Sequence, residues 1–120
     1  MTIINFQSFK NSIVYACRGI AYVFRHEQNF RIQVFITVVV LLCAYFFDIS
    51  KRDLLLVLML IAGVLILELI NTVLEYFLNV VEPKIHIQAK IIKDIMAGAV
   101  LLVSLAAFVL GLLIFWPYVF

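Results

Sequence analysis

The segment Glu68–Glu75 carries the residues of this chain best suited to chemistry. It reads E-L-I-N-T-V-L-E and follows the run 54–67, which contains no charged residue. Positions 68, 71, 72 and 75 fall on one face of a helix, because residues three or four apart lie one above the other. A carboxylate near the middle of a membrane span costs about 2.5–3.5 kcal/mol, so two carboxylates with an asparagine indicate a functional site.

The composition identifies the class of protein that holds this segment. The chain has 120 residues, of which 67% are hydrophobic and 13% are charged. A soluble domain of this size would need more polar surface, so we predict a single integral membrane domain over residues 1–120. The net charge of +2 is too small to indicate a nucleic-acid partner. Cys17 and Cys43 form no CxxC pair and are expected to be packing residues.

Four helical segments are expected to position the polar residues. Residues 6–26 place apolar residues on one stripe and basic residues largely off it, which predicts an amphipathic helix in the membrane interface. The apolar segments 29–47, 54–79 and 91–116 are each long enough to cross a bilayer. The fold class is therefore predicted to be all-α and integral to a membrane, with three transmembrane helices and one interfacial helix.

The segments between these helices contain capping and helix-breaking residues. Ser50 and Asp53 are candidate caps for the second membrane span. Pro83 is expected to break the helix in a polar connection at 80–89, and Pro117 to stop the third span. Lys and Arg are concentrated before the first span and in the second connection, whereas the cations of the first connection are balanced by aspartates. The positive-inside rule then places the N terminus in the cytoplasm and the C terminus outside.

This topology gathers charged residues at the cytoplasmic surface. Glu27, Glu75, Lys93 and Asp94 would lie there, and Glu68 would lie two helical turns deeper than Glu75, about 10 Å along the axis. Carboxylates with a lysine suit a nucleotide with Mg²⁺, which commonly takes one or two carboxylates and substrate phosphates. A carboxylate at the depth of Glu68 suits proton acceptance from a lipid hydroxyl at the headgroup level.

The motifs of the common nucleotide-binding and hydrolytic folds are absent from the sequence. The four glycines are far apart, so there is no phosphate-cradling loop, and no HExxH, Cys/His zinc spacing or Gly-x-Ser-x-Gly occurs. A kinase built on this chain would therefore not have one of the common kinase folds.

Three motifs together resemble those of the small bacterial membrane lipid kinases, the diacylglycerol kinase and undecaprenol kinase family. Glu68–Glu75 resembles that family's E-x-x-N-[ST]-x-x-E motif, and residues 89–101 resemble its A-K-x-x-K-D-x-x-A-x-A-V-L segment. Residues 27–31 resemble its N-terminal E-x-x-F-[RK] element. The resemblance covers almost the whole chain and implies phosphorylation of a membrane lipid alcohol by ATP with Mg²⁺ as cofactor.

The resemblance also implies a role for individual residues. Glu68 matches the general base, and Glu27 and Glu75 match the carboxylates that hold the metal with ATP. The implied ATP contacts are Tyr15, Glu27, Glu75, Lys84, Ile85, His86, Lys93 and Asp94, and the implied lipid contacts are Glu68, Asn71 and Ala97. The family resemblance further implies a homotrimer in the bacterial inner (cytoplasmic) membrane, with active sites shared between subunits and completed by the N-terminal helix.

The choice of lipid and two rival functions stay open on the sequence. Ser8 and Gln33 stand where diacylglycerol-specific members carry arginine and glutamate, so the segment 26–33 looks more like that of undecaprenol kinases. One rival is a non-enzymatic membrane subunit or small transporter that uses Glu68 and Glu75 as a proton or cation relay. The other is an inactive scaffold of kinase descent. Neither rival needs the nucleotide-type residues Glu27 and Lys93.

Overall fold

Three helices make up the chain in the computed structural model, which describes residues 3–120 apart from the side chains of residues 82–86. Helix α1 is Phe6–His26, α2 is Gln28–Phe46 and α3 is Lys51–Val119. The all-α prediction is confirmed, and α1 begins and ends where the apolar and basic pattern of residues 6–26 predicts. The predicted break at Pro83 lies outside the described residues.

Helix α3 consists of two arms, Lys51–Val81 and Ile87–Val119. A straight helix of 69 residues would be about 104 Å long, whereas the longest dimension of the molecule is 54 Å. The Tyr118 hydroxyl accepts a hydrogen bond of 3.0 Å from the Ser50 backbone N–H and donates one to Asp53. The two arms therefore run antiparallel, and these bonds join them at the end that holds Asp53, hereafter the Asp53 end.

Three helical segments are long and apolar enough to cross a membrane, as the sequence predicts. They are Gln28–Phe46, Lys51–Val81 and Ile87–Val119. Each is close to or longer than the roughly 20 residues that a hydrocarbon layer of about 30 Å requires. Large apolar side chains point outward along them; Leu102, for example, is 70% exposed. A surface of this kind has to be covered by lipid or by protein.

The ends of the membrane segments differ in detail from the predicted ones. Ser50 is the N-cap of α3, and its hydroxyl accepts a hydrogen bond of 3.1 Å from the Asp53 backbone N–H. The first arm therefore begins at Lys51 rather than at residue 54. The prediction that Pro117 stops the last span is wrong, because the helix continues to Val119. Pro117 has no N–H to donate to the carbonyl four residues earlier, but the last turn is closed beyond it, because the Phe120 backbone N–H donates 3.0 Å to the Trp116 carbonyl.

Glu27 alone separates α1 from α2. Its backbone is extended, with φ −116° and ψ 112°, and it caps the end of α1 and the start of α2. The Arg31 guanidinium donates two hydrogen bonds of 2.9 Å to the carbonyls of Phe24 and Arg25, which are among the last carbonyls of α1. These bonds satisfy acceptors that a helix C-terminus leaves open, and the cation suits the negative end of the helix dipole. The α1–α2 corner is therefore fixed by Arg31, with Glu27 at its apex.

Candidate active site

Glu68 lies in the interior of the helix bundle, although it is a carboxylate in an apolar arm. Its residue is 2% exposed, and its Oε2 accepts a hydrogen bond of 3.3 Å from the Nε2 of Gln33 on α2. Asn71 lies near the same carboxylate, on the same face of the arm. Thr72 is also buried, and its hydroxyl donates 3.0 Å to the Glu68 backbone carbonyl. The predicted polar face of the arm is thus turned toward α2, and Glu68 is held from both helices.

Two more carboxylates lie close enough to Glu68 to act on it electrostatically. They are Glu75, two turns further along the same arm, and Glu27 at the α1–α2 corner. Both are half-buried. An ionised carboxylate near Glu68 repels the Glu68 carboxylate, and a bound cation would relieve that repulsion. That Glu27 and Glu75 together hold a metal ion stays a prediction.

Aromatic side chains connect α1 to this carboxylate group. The Tyr76 hydroxyl donates a hydrogen bond of 3.4 Å to Oε1 of Glu27, and its ring meets the edge of Tyr22 at a centroid distance of 5.9 Å and an angle of 84°. Tyr22 in turn stacks on His26 at 4.0 Å, and the Nδ1 of His26 lies 2.8 Å from the Tyr22 carbonyl. Edge-to-face and stacked rings are favourable arrangements for aromatic pairs. These contacts hold the C-terminal end of α1 against Tyr76, the residue that follows Glu75.

The second arm brings cationic side chains to the same end of the bundle. Lys93 is half-buried, and its Nζ donates a hydrogen bond of 3.0 Å to the Asn79 side-chain oxygen on the first arm. Asp94 is exposed and forms an ion pair of 3.0 Å with Lys90, one turn earlier. A nucleotide phosphate would compete with Asn79 for Lys93. An exposed pair such as Lys90–Asp94 is weak, so its exchange for another partner costs little free energy.

The remaining predicted site residues are not joined to the carboxylates by the contacts of the described chain. Tyr15 is exposed on α1, about 18 Å along the helix axis from Glu27, and the Arg18 guanidinium lies 5.9 Å from its ring centroid. Ala97 is exposed on the second arm. Lys84, Ile85 and His86 lie outside the residues whose side chains are described. The roles of these five residues stay predictions.

An apolar cavity of about 470 Å³ lies beside Gln33. Its lining comes from α2 and from both arms of α3, and apart from Gln33 its polar members are Thr37 and Ser104. The Gln33 side chain therefore stands between the cavity and Glu68. Its Oε1 is buried and has no hydrogen-bond partner among the described residues. A hydroxyl group that entered from the cavity would supply the missing donor.

The carboxylates suit a magnesium ion that is bound together with a nucleotide. Among the described residues, no group of three or more His, Cys, Asp or Glu side chains is placed to hold a metal ion. Glu27 and Glu75 would offer two hard oxygen ligands, and Mg²⁺ commonly completes its octahedron with water and substrate phosphates. The donor set fits Mg²⁺ that shares its ligands with ATP.

Two residues of this site do not follow from the predicted chemistry. From the sequence, Gln33 is predicted only to differ from the diacylglycerol-specific members, and no role is predicted for Tyr76. An amide in the otherwise apolar segment 32–47 is a signal for Gln33, because polar residues within spans are generally partnered. Tyr76 gives no comparable signal, since a tyrosine near the end of a span is usually an interfacial anchor.

Comparison with known proteins gives consistent matches. The sequence matches the family described as prokaryotic diacylglycerol kinase over residues 14–115. An undecaprenol kinase of Bacillus subtilis is 37% identical over 109 residues, which cover 91% of this chain and 89% of that protein. A diacylglycerol kinase of Synechocystis sp. is 39% identical over 101 residues, which cover 83% of this chain and 58% of that protein. No solved structure shows a significant match.

Proposed function

This chain belongs to the prokaryotic diacylglycerol kinase family, and on that premise we propose that it transfers the γ-phosphoryl group of ATP to the hydroxyl group of a membrane lipid. The observation that carries the proposal is the position of Glu68. This carboxylate is buried, is held by Gln33, lies near two further carboxylates and is separated from an apolar cavity only by that glutamine. The relay alternative does not account for the family match, and neither the relay nor an inactive scaffold needs the nucleotide-type residues Glu27 and Lys93.

In the proposed reaction, the lipid hydroxyl oxygen attacks the γ-phosphorus of ATP. The bond from that phosphorus to the bridging oxygen breaks, ADP leaves, and the hydroxyl proton passes to Glu68. The hydrogen bond from Gln33 to Oε2 would hold the Glu68 carboxylate in place for this proton transfer. Glu27 and Glu75 would hold Mg²⁺, which supplies charge neutralisation at the phosphates when bound. Lys93 would add a point charge, since phosphoryl transfer depends mainly on positioning and electrostatics.

The cavity and the relatives support two candidate acceptor lipids. Its apolar lining suits a hydrocarbon chain, and Gln33 would meet the hydroxyl end. Undecaprenol is the first candidate, because the Bacillus undecaprenol kinase matches the chain over 89% of its own length. Diacylglycerol is the second, from the cyanobacterial relative. The products would be undecaprenyl phosphate or phosphatidic acid.

The assembly is proposed on the pattern of the family. The chain would act as a single domain in the bacterial cytoplasmic membrane, with its N terminus in the cytoplasm and its C terminus outside. A homotrimer with sites shared between subunits would cover much of the exposed apolar surface and bring Tyr15, Ala97 and the 84–86 segment of one copy toward the carboxylates of another. Helix α1 would lie in the membrane interface.

A reconstituted kinase assay tests this function. The full chain in lipid nanodiscs is given radiolabelled ATP and Mg²⁺ with undecaprenol or diacylglycerol, and labelled lipid is quantified. Glu68→Gln should reduce turnover about 100-fold or more while ATP still binds, because loss of a general base typically costs 10²–10⁴-fold. Glu75→Gln should raise the Mg²⁺ concentration needed for half-maximal rate.

Asp48→Asn is the matched control for both substitutions. It makes the same carboxylate-to-amide change at an exposed residue of the Asp53 end, where φ is 50° and asparagine is well tolerated. Its activity should equal that of the wild type. Folded protein that labels neither lipid would contradict the proposed function, and full activity of Glu68→Gln would exclude this residue as the base.

A further inference from the structure

A second cavity lies between the two arms of α3, near the Asp53 end. Its volume is about 390 Å³, and it is here called the Asp53 groove. Asp53 is the charged member of its lining, and the other members are apolar residues between positions 56 and 60 on the first arm and between 110 and 117 on the second. Of these, Leu60 also lines the cavity beside Gln33. The groove is therefore a separate space with one carboxylate in an apolar wall.

The Asp53 groove is polar at one end and apolar at the other. Because the arms run antiparallel and Tyr118 bonds Asp53, the Asp53 end of the groove lies near the start of the first membrane arm at Lys51. Leu60 lies seven residues further into that arm, about 10 Å along the axis. The groove thus runs from the membrane boundary toward the middle of the bilayer, in the direction that a lipid takes with its headgroup at Asp53.

The charged groups at the polar end have no ion-pair partner within the described part of the chain. Asp53 is half-buried, and its Oδ2 accepts a hydrogen bond from the Tyr118 hydroxyl, which is a neutral donor. Lys51 and Arg52 directly precede it and are exposed. The ion pair that the described residues form is Lys90–Asp94, at the opposite end of the bundle. One carboxylate and two cations therefore stand together at the level of the lipid headgroups.

This set of charges complements a zwitterionic headgroup with a primary ammonium group. A primary ammonium has three N–H donors for a carboxylate, whereas the quaternary ammonium of a choline headgroup has none. The phosphate of the same headgroup suits an adjacent lysine or arginine. An anionic lipid without an amine would leave the Asp53 charge without a partner.

We propose that the Asp53 groove binds a phospholipid with a primary ammonium headgroup, such as phosphatidylethanolamine. The ammonium group meets Asp53, the phosphate lies beside Lys51 or Arg52, and one acyl chain occupies the apolar part of the groove. The volume falls within the range of about 300–1,000 Å³ that is usual for small-molecule sites. Asp53 and Glu68 are about 22 Å apart along the arm, so this site is distinct from that of phosphoryl transfer.

The fluorescence of Trp116 reports which lipid lies at the groove. Trp116 is the single tryptophan of the chain, is 62% exposed and directly precedes Pro117 in the groove wall. The full chain is placed in phosphatidylcholine nanodiscs that contain rising fractions of a lipid with brominated acyl chains, because bromine quenches tryptophan at short range. Brominated phosphatidylethanolamine should quench at about threefold lower fractions than brominated phosphatidylcholine, as expected for a partly exposed ion pair.

Two pairs of variants separate the groove from general lipid contact. Asp53→Asn removes the charge but keeps an oxygen that can accept from Tyr118, and it should abolish the preference. Asp48→Asn makes the same change at an exposed carboxylate of the same end, outside the groove lining, and should keep it. Leu110→Phe narrows the groove and should weaken the preference, whereas Leu105→Phe, at an exposed position of the same arm outside the lining, should keep it.

Four results would overturn the proposal. One is equal quenching by the ethanolamine and choline lipids, and another is a preference that persists in folded Asp53→Asn. Stronger quenching by brominated phosphatidylglycerol would assign the site to an anion at Lys51 and Arg52. Folded protein whose Trp116 is quenched by none of the three lipids would assign the groove to a second copy of the chain.

Discussion

The hydrogen bond from Gln33 to Glu68 allows a sharp test of how the proposed base is held. In Gln33→Leu, the side chain keeps similar bulk but loses the Nε2 donor that lies 3.3 Å from Oε2 of Glu68. A hydrogen bond to a charged group contributes about 1.5–3 kcal/mol, and a bond at this length belongs at the lower end of that range. If the lost hydrogen bond raises the activation free energy by about 1.5 kcal/mol, kcat falls about tenfold.

Separate measurement of kcat and of KM for Mg-ATP distinguishes the loss of the Glu68 hydrogen bond from a general disturbance of the active site. Within the described part of the chain, the Gln33 side chain bonds no proposed ATP ligand. KM for Mg-ATP should therefore stay unchanged while kcat falls. The measurement is the nanodisc assay with radiolabelled ATP at saturating lipid. Protein folding is checked for each variant by thermal unfolding in detergent, so that a loss of folded protein is not counted as a loss of turnover.

Thr37→Val is the matched control for Gln33→Leu. Thr37 lies one turn further along α2, lines the same cavity and donates its hydroxyl proton to the Gln33 carbonyl at 2.8 Å. The substitution removes one polar group from the same wall without touching Glu68, so activity should stay within about twofold of wild type. Full activity of folded Gln33→Leu, or an equal loss in Thr37→Val, would refute the role assigned to the amide.

Two further substitutions test the contacts around the site and at the Asp53 end. Tyr76→Phe keeps the ring but removes the hydroxyl that donates a hydrogen bond to Glu27. The Mg²⁺ concentration for half-maximal rate should therefore rise severalfold, with little change in kcat at saturating Mg²⁺. An unchanged Mg²⁺ titration would show that Glu27 does not need this bond. Tyr118→Phe removes the hydroxyl that bonds Asp53 and should lower the free energy of unfolding by about 1 kcal/mol, measured by denaturant titration in detergent. Tyr45→Phe, at a side chain that is 88% exposed, is the control and should leave stability unchanged; an equal loss there would contradict the role of the Tyr118 contact.

The arrangement along each helix could be predicted from the sequence because it depends on local periodicity. The spacing of Glu68 and Glu75 places them two turns apart on one face whatever the helix packs against. The Ser50 cap and the bounds of α1 are local in the same sense, since a side-chain oxygen and a change in apolar pattern act within a few residues.

The contacts between helices could not be predicted in the same way. The pairing of Gln33 with Glu68 spans 35 residues, and that of Tyr76 with Glu27 spans 49, so both depend on the rotation and depth of α2 and α1 relative to α3. Helical periodicity carries no information about these two variables, which are decided by packing. The error at Pro117 has a different origin, because the missing N–H of a proline weakens a helix without ending it at that residue, and the Phe120 N–H still closes the turn on the Trp116 carbonyl.

The hydrogen bond between Asp53 and Tyr118 also has a consequence for biosynthesis. The two residues are 65 positions apart, so at about 5–20 residues per second the ribosome completes the partner several seconds after Asp53 has emerged. During that interval the first arm can be inserted into the membrane, but no tyrosine hydroxyl is yet present to donate a hydrogen bond to Asp53. A nascent chain stalled before Tyr118 would therefore hold all three carboxylates of the proposed reaction and still lack the hydrogen bond that joins the two arms at the Asp53 end.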